Sequence, residues 1–311
     1  MNSQNPIKIL YIAGWGRSGT TFLDNIFGQL DDFFSVGEIR FIWDRNFIED
    51  RSCGCGQLFS SCSVWKSITQ NAFGDDSNIN PLELIHAATT YTSTRRIPQF
   101  FLTRDLDDQS PRFKAYLLTL EKLYSSIAKC TNSKIIVDSS KYPLYAGALS
   151  LLPGFDVYIV HMVRDPRAVA YSWMNPKTFD SPTIFDRMER IGPFKSSMLW
   201  NSWNLTLALM KSMRPDRYFL LRYEDFVTTP RQSIVDILTF LGNPVDNLPF
   251  EDDFTVYMRN NHTLSGNASR FQIGPVKIKP DIRWQKQLSS SAKLLVTMLT
   301  WPIMLSYGYK P

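Results

Sequence analysis

The sequence predicts an α/β protein with a doubly wound parallel sheet. Three short apolar runs rich in strand formers, Ile7–Ile12, Lys134–Asp138 and Val157–Val163, are each followed by polar residues and then by a helical pattern. Strands and helices that alternate in this way are typical of parallel sheets. Ligands of such sheets bind beyond the carboxyl ends of the strands. We therefore expect the polar residues after these runs to form a binding site.

The first apolar run leads into a glycine-rich turn, in which residues 14–21 read GWGRSGTT. A turn of this kind at the start of a helix presents backbone N–H groups to an anion, and the helix dipole favours a phosphate there. Compared with the NTPase pattern GxxxxGK[ST], Thr20 replaces the lysine, Thr21 keeps the hydroxyl, and Arg17 adds a basic group inside the loop. The turn predicts a phosphate-type ligand other than ATP–magnesium.

The remaining periodicity completes the predicted fold. Phe33–Val36 and Tyr218–Leu221 are further strand candidates, and Asp165 with Pro166 predicts a capped helix start. Thr229–Gln232 has the pattern of a capping box. Further helices are predicted over Phe41–Ile48, Val64–Ala72, Pro81–Tyr91, Phe113–Ile127, Ser196–Met213, Ile234–Leu241 and Leu294–Leu299. With no separating linker, we expect a single domain over residues 1–311, with a core at about 7–285 and a helical insertion at about 41–130.

Composition limits the partners. A formal net charge of +5 suits an anionic ligand but is too diffuse to indicate nucleic acid, and no run of 18 apolar residues indicates a membrane span. The first residues lack the features of a secretory signal, so we expect a cytoplasmic protein with no membrane partner.

Three of the four cysteines, Cys53, Cys55 and Cys62, lie in CGCGQLFSSC. A structural zinc site needs four ligands, usually with CxxC spacing, and neither His86 nor His161 has a convincing spacing to complete one. We therefore predict a reduced surface loop and no metal.

Five motifs in order, GWGRSGTTF, VDSSK, VRDPRAVAYS, LRYEDF and HTLSGNASR, resemble the sulfotransferases that use 3′-phosphoadenosine 5′-phosphosulfate (PAPS), and bacterial members most closely. The resemblance spans about residues 7–285 and implies a P-loop-like sulfotransferase fold. It also implies that Arg164 and Ser172 hold the 3′-phosphate, that Tyr223 lies near the adenine, and that Arg270 closes over the cofactor. The implied contacts of the 5′-phosphosulfate are Gly16, Arg17, Ser18, Gly19, Thr20 and Thr21.

Sulfuryl transfer generates charge on the bridging oxygen of the leaving phosphate, and the acceptor must lose a proton. Arg17 and Lys141 are the candidate cations at that oxygen. Glu38 is the candidate base, because SVGEIR resembles the glutamate segment of protein-tyrosine sulfotransferases, and His262 is its rival. Glu38 could instead pair with Arg40, and Lys141 could be a solvated lysine at a helix start.

These observations predict an enzyme that transfers a sulfuryl group from PAPS to a hydroxyl, or less often an amine, of a small-molecule metabolite, leaving adenosine 3′,5′-bisphosphate. Two alternatives stay open. The first is a P-loop kinase of small molecules, for which Asp138 and Glu224 are the candidate magnesium ligands. The second is a nucleotide-binding module without catalytic activity.

Overall fold

The computed structural model of the chain describes residues 6–74, 79–102, 105–175 and 189–311. Its centre is a five-stranded parallel sheet with strand order β2-β3-β1-β4-β5. The strands are β1 (Ile7–Ala13), β2 (Phe33–Gly37), β3 (Ile135–Lys141), β4 (Phe155–Val163) and β5 (Tyr218–Arg222). The predicted α/β doubly wound parallel sheet is thus confirmed. Because β3 and β4 flank β1 on opposite sides, the glycine-rich turn after β1 lies at the switch point.

Helices cover both faces of the sheet, and a small antiparallel pair, β6 (Thr255–Met258) and β7 (Gly274–Lys277), lies outside it. The α-helices are α1 (Thr20–Phe27), α2 (Ser63–Phe73), α3 (Pro81–Tyr91), α4 (Ile97–Leu102), α5 (Pro111–Thr131), α6 (Pro143–Ser150), α7 (Pro166–Met174), α8 (Pro193–Met213), α9 (Tyr223–Thr228), α10 (Pro230–Phe240), α11 (Trp284–Gln287) and α12 (Ser290–Ser306). None of the helices in the described ranges is long and apolar enough to cross a membrane.

The central position of β1 in the sheet explains why its sequence is apolar from Ile9 to Ala13. Ile9 and Tyr11 of β1 belong to the core on one face of the sheet, whereas Leu10 and Ile12 belong to the core on the other. Side chains alternate along a strand, so a strand covered on both faces needs apolar residues at successive positions.

Several local predictions differ from the structure. β3 continues through Lys141. In place of the helix predicted over Phe41–Ile48, a 3₁₀ turn over Ile39–Phe41 is followed by a π-helix over Ile42–Ile48. The predicted capping box is wrong. The hydroxyl of Thr229 donates to the Asp225 carbonyl at 3.2 Å, because α9 ends directly before α10 and offers that carbonyl as a partner.

The cysteine loop also differs from its prediction. Cys53 and Cys62 are only 0% and 1% exposed, so they are not surface residues. The helical insertion covers them, and Phe59 and Trp65 pack in the same core.

Candidate active site

The glycine-rich turn is held close to β4 and to α9. A Cβ at Gly14, whose φ is +142°, would lie 2.2 Å from the Met162 carbonyl oxygen, and one at Gly19, whose φ is +93°, would lie 2.9 Å from the Tyr223 ring. Gly19 is the N-cap of α1 and provides no side chain to occupy the first N–H groups. These N–H groups, which have no partner within a helix, therefore line the turn.

Arg164, which directly follows β4, is brought to the same turn. Its NH1 donates to the Arg17 carbonyl at 3.0 Å and its NH2 to the Asp281 carbonyl at 3.1 Å. The guanidinium also lies over the Tyr223 ring, 4.1 Å from the ring centroid, and pairs with the Asp281 carboxylate at 3.6 Å. Its Nε is buried without a partner among the described residues. A cation held in this way, with an unused donor, fits an anionic ligand.

Helix α7 borders the turn on its other side. Asp165 caps it by accepting from the Arg167 backbone N–H at 2.8 Å, as predicted. The Arg17 guanidinium lies over the Trp173 ring, 4.8 Å from its centroid. Ser172 precedes Trp173 in the same helix and is half-buried. The structure thus gathers Arg17, Arg164 and α7 around the turn.

Glu38 and Lys141 form an ion pair at the carboxyl ends of the neighbouring strands β2 and β3. The Lys141 ammonium donates to Glu38 Oε1, and the Arg45 guanidinium lies 3.6 Å from Oε2. Burial raises the pKa of Glu38, but the charges of Lys141 and Arg45 together outweigh it, and the net pKa lies below its usual value. Glu38 is therefore ionised at neutral pH although it is buried.

The ion pair lies beside the glycine-rich turn. A side chain at Gly266 would come within 3.5 Å of both Glu38 Oε1 and Thr21 Cγ2. The alternative partner of Glu38 is excluded, because Arg40 donates instead to Thr92 Oγ1 at 3.0 Å and to the Ala88 carbonyl at 3.4 Å. The carboxylate, the lysine and the turn therefore share one region.

Two further candidate site residues, Arg270 and His262, contact neighbouring loops. Arg270 is buried and donates to the Thr263 carbonyl at 2.6 Å and to the Ser52 carbonyl at 2.8 Å. His262 points its Nδ1 at two thiols, 3.4 Å from Cys62 Sγ and 3.6 Å from Cys53 Sγ. Its ring therefore faces sulfur, whereas the carboxylate of Glu38 faces Lys141.

The structure places a candidate fourth metal ligand, His262, beside the three cysteines, a residue that the search for zinc spacing did not include. The sulfurs of Cys53, Cys55 and Cys62 and a ring nitrogen of His262 all lie within 4.8 Å of one another. Sequence spacing missed His262 because the loop that carries it meets the cysteine loop only in the folded chain. Of the other histidines, His161 is buried in β4 and His86 is exposed on α3.

The model of the sulfotransferase family matches residues 10–247. The chain belongs to this family. It is 23% identical to carbohydrate sulfotransferase 4 of Mus musculus, in an alignment that covers 79% of this chain and 68% of that protein. The sulfotransferase domain of the Synechococcus PCC 7002 olefin synthase has a similar fold, with a TM-score of 0.52, 20% identity, and coverage of 100% of this chain and 98% of that one. The sulfotransferase domain of the curacin biosynthetic pathway gives a TM-score of 0.49 at 16% identity, with 96% and 99% covered.

The family membership makes the protein a sulfotransferase, and the predicted P-loop-like sulfotransferase fold is confirmed. Sulfuryl transfer is accordingly favoured over the kinase and over the non-catalytic module.

Proposed function

We propose that this sulfotransferase uses PAPS as its donor and sulfates a hydroxyl of a small-molecule acceptor. The observation that carries the proposal is the buried, ionised Glu38, which pairs with Lys141 beside Thr21 of the glycine-rich turn. An ionised carboxylate can accept a proton from a hydroxyl, and a neighbouring ammonium can stabilise charge on a leaving oxygen.

The residues around the turn fit this cofactor. The glycines leave no room for side chains, the first N–H groups of α1 line the turn, and the buried Nε of Arg164 is unused among the described residues. When bound, PAPS supplies the activated sulfuryl group and carries two anionic ends. Arg164 and Ser172 would hold the 3′-phosphate, and Tyr223 would contact the adenine. The contacts of the phosphosulfate would be Gly16, Arg17, Ser18, Gly19, Thr20 and Thr21.

The side chains divide the chemical work. Glu38 would take the proton of the acceptor hydroxyl, while Lys141 and Arg17 would present positive charge to the bridging oxygen. Lys141 suits this role because an ammonium has three donors, so its contact with Glu38 leaves others for an anion. Arg45, which the sequence did not indicate, would keep Glu38 ionised. No step in this division requires a metal at the sulfuryl group.

The cofactor is tested by calorimetric titration with adenosine 3′,5′-bisphosphate, ADP and ATP–magnesium. We expect the bisphosphate to bind more tightly than ADP, and Arg164→Ala to weaken it about 10- to 100-fold, which is the range for a lost charge-assisted hydrogen bond. Arg217→Ala is the matched control, because Arg217 pairs with Asp156 at the opposite end of the sheet. Equal affinity for the bisphosphate and ADP, or an unchanged affinity in Arg164→Ala, would exclude the proposed site.

A further inference from the structure

Four potential metal ligands from two segments that are distant in sequence lie close together beside the candidate active site. Cys53, Cys55 and Cys62 come from the loop before α2, and His262 comes from the loop that follows β6. The sulfurs of Cys55 and Cys62 are 3.8 Å apart, and His262 Nδ1 lies 3.4 Å and 3.6 Å from the sulfurs of Cys62 and Cys53. The cysteines form no disulfide, since bonded sulfurs lie about 2.0 Å apart.

Three of the separations between these ligand atoms match the edges of a coordination tetrahedron, and all four atoms lie within 4.8 Å of one another. With Zn–S bonds of about 2.3 Å and Zn–N bonds of about 2.1 Å, a tetrahedral zinc ion separates two sulfurs by about 3.8 Å and a sulfur from a nitrogen by about 3.6 Å. The three measured separations agree with these values to about 0.2 Å. We propose that Cys53, Cys55, Cys62 and His262 bind one structural zinc ion.

The chemistry of the donor set supports zinc. Three thiolates and one imidazole are soft and borderline donors, which exclude the hard cations magnesium and calcium and favour zinc. Four protein ligands fill a tetrahedron, so the ion would have no open position for a substrate. Cys53 and Cys62 are buried, which is the environment of a closed structural site.

Hydrogen bonds fix the backbone of the two loops that carry the ligands. Trp65 Nε1 donates to the His262 carbonyl at 2.7 Å, and the Cys53 N–H donates to the Gln57 carbonyl at 2.8 Å. The Gly54 N–H donates to the Thr263 carbonyl at 2.9 Å, which joins the two ligand-bearing loops directly. These contacts hold the backbones of the two loops together, so the four ligand atoms stay close to one another.

A bound metal would affect the position of Glu38 through Leu264, which lies two residues after the ligand His262. The Leu264 N–H donates to the Val36 carbonyl at 3.0 Å, and the Glu38 N–H donates to the Leu264 carbonyl at 2.8 Å. An ion that fixes His262 would therefore also fix Leu264, which pairs with the end of β2. Glu38 is the residue that directly follows β2. This positioning role rests on the proposed function of Glu38, whereas the metal site itself does not.

The test is the metal content of the purified full-length chain, measured by inductively coupled plasma mass spectrometry. We expect about one zinc per chain in the wild type and in Cys130→Ser, and a loss of most of it in Cys62→Ser and His262→Ala. Cys130 is the matched control because it is an exposed cysteine outside the cluster.

A second measurement uses the wild type alone and therefore does not depend on whether the variants fold. Replacing the metal of the wild type by Co²⁺ should give the intense absorption of tetrahedral cobalt bound to thiolates, and a mercurial reagent that titrates thiols should release the zinc. A wild-type chain that contains no zinc and takes up neither Zn²⁺ nor Co²⁺ would overturn the proposal, as would iron at the site. Titration with the bisphosphate on the same samples separates this failure from a failure of the proposed function.

Discussion

Glu38 shows how neighbouring charges decide the state of a single residue. Desolvation alone would neutralise a carboxyl group that is only 9% exposed. Lys141 and Arg45 lie close enough to reverse that effect, so the folded protein keeps the pKa of Glu38 below its usual value. A carboxylate that stays ionised near neutral pH is available as a proton acceptor over the whole physiological range.

Replacing this carboxylate tests its proposed role as base. Glu38→Gln keeps an acceptor for Lys141 but removes the ability to take a proton, so we expect kcat to fall about 10²- to 10⁴-fold. Transfer of labelled sulfuryl from PAPS to a panel of small hydroxyl compounds measures it. Affinity for the bisphosphate should change little, and Glu49→Gln, at an exposed carboxylate paired with Arg51, should behave like the wild type. Full activity in Glu38→Gln would assign the base elsewhere.

At the scale of elements, helix α1 packs unusually close to β2. A Cβ on Gly28 would lie 2.9 Å from the Cβ of Ser35, so a larger residue at the end of this helix would displace it from the strand. One turn earlier, the same packing carries Asp24 into the interior, where it is 0% exposed. Burial raises the pKa of Asp24 to about 8, against the opposing effect of the Ser35 hydroxyl.

The raised pKa makes the stability of the protein depend on pH through α1. Below about pH 4 Asp24 is protonated in both states, whereas between about pH 4 and 8 the unfolded chain loses the proton and the folded chain keeps it, so stability falls as pH rises. In Asp24→Asn the side chain is always neutral. We expect the variant to gain about 1.4 kcal/mol over the wild type per pH unit in this window. Urea unfolding across this range measures it, with the exposed Asp31→Asn as control; a difference that is independent of pH would contradict the shift.

The strands and the glycine-rich turn could be predicted from the sequence, whereas the capping box at Thr229 was predicted wrongly and contacts between distant segments could not be predicted. The β1 strand, the turn and the Asp165 cap depend on residues within one turn or strand of each other, so pattern alone indicates them. Arg45 reaches Glu38 from the π-helix, whose register no propensity scale predicts. His262 joins three cysteines that lie 200 or more residues away in sequence. Such contacts depend on how the insertion folds back over the sheet.

At the scale of the whole molecule, the last described residues contact the carboxyl end of the sheet, where we propose that the cofactor binds. The Tyr309 hydroxyl lies 2.6 Å from Glu224 Oε2, and Glu224 Oε1 accepts from the Asp165 backbone N–H at 3.2 Å. The Lys310 carbonyl accepts from the Arg167 guanidinium at 2.8 Å. A chain of hydrogen bonds therefore connects this segment to the start of α7, next to Arg164.

This connection predicts that a change at Tyr309 alters the proposed cofactor site. Tyr309→Phe removes one of the two hydrogen bonds that the Glu224 carboxylate accepts and leaves the one from the Asp165 N–H. Hydrogen bonds to a charged group contribute about 1.5–3 kcal/mol, so we expect the free energy of unfolding to fall by that amount. Loosening of the start of α7 should also weaken binding of the bisphosphate. Urea unfolding and calorimetric titration measure the two effects.

Tyr307→Phe is the matched control. The Tyr307 hydroxyl donates to the neutral backbone carbonyl of Asn204 at 3.2 Å, so its loss should cost only about 1 kcal/mol. If both variants lost the same stability and bound the bisphosphate equally well, Glu224 would not transmit support from this segment to Asp165.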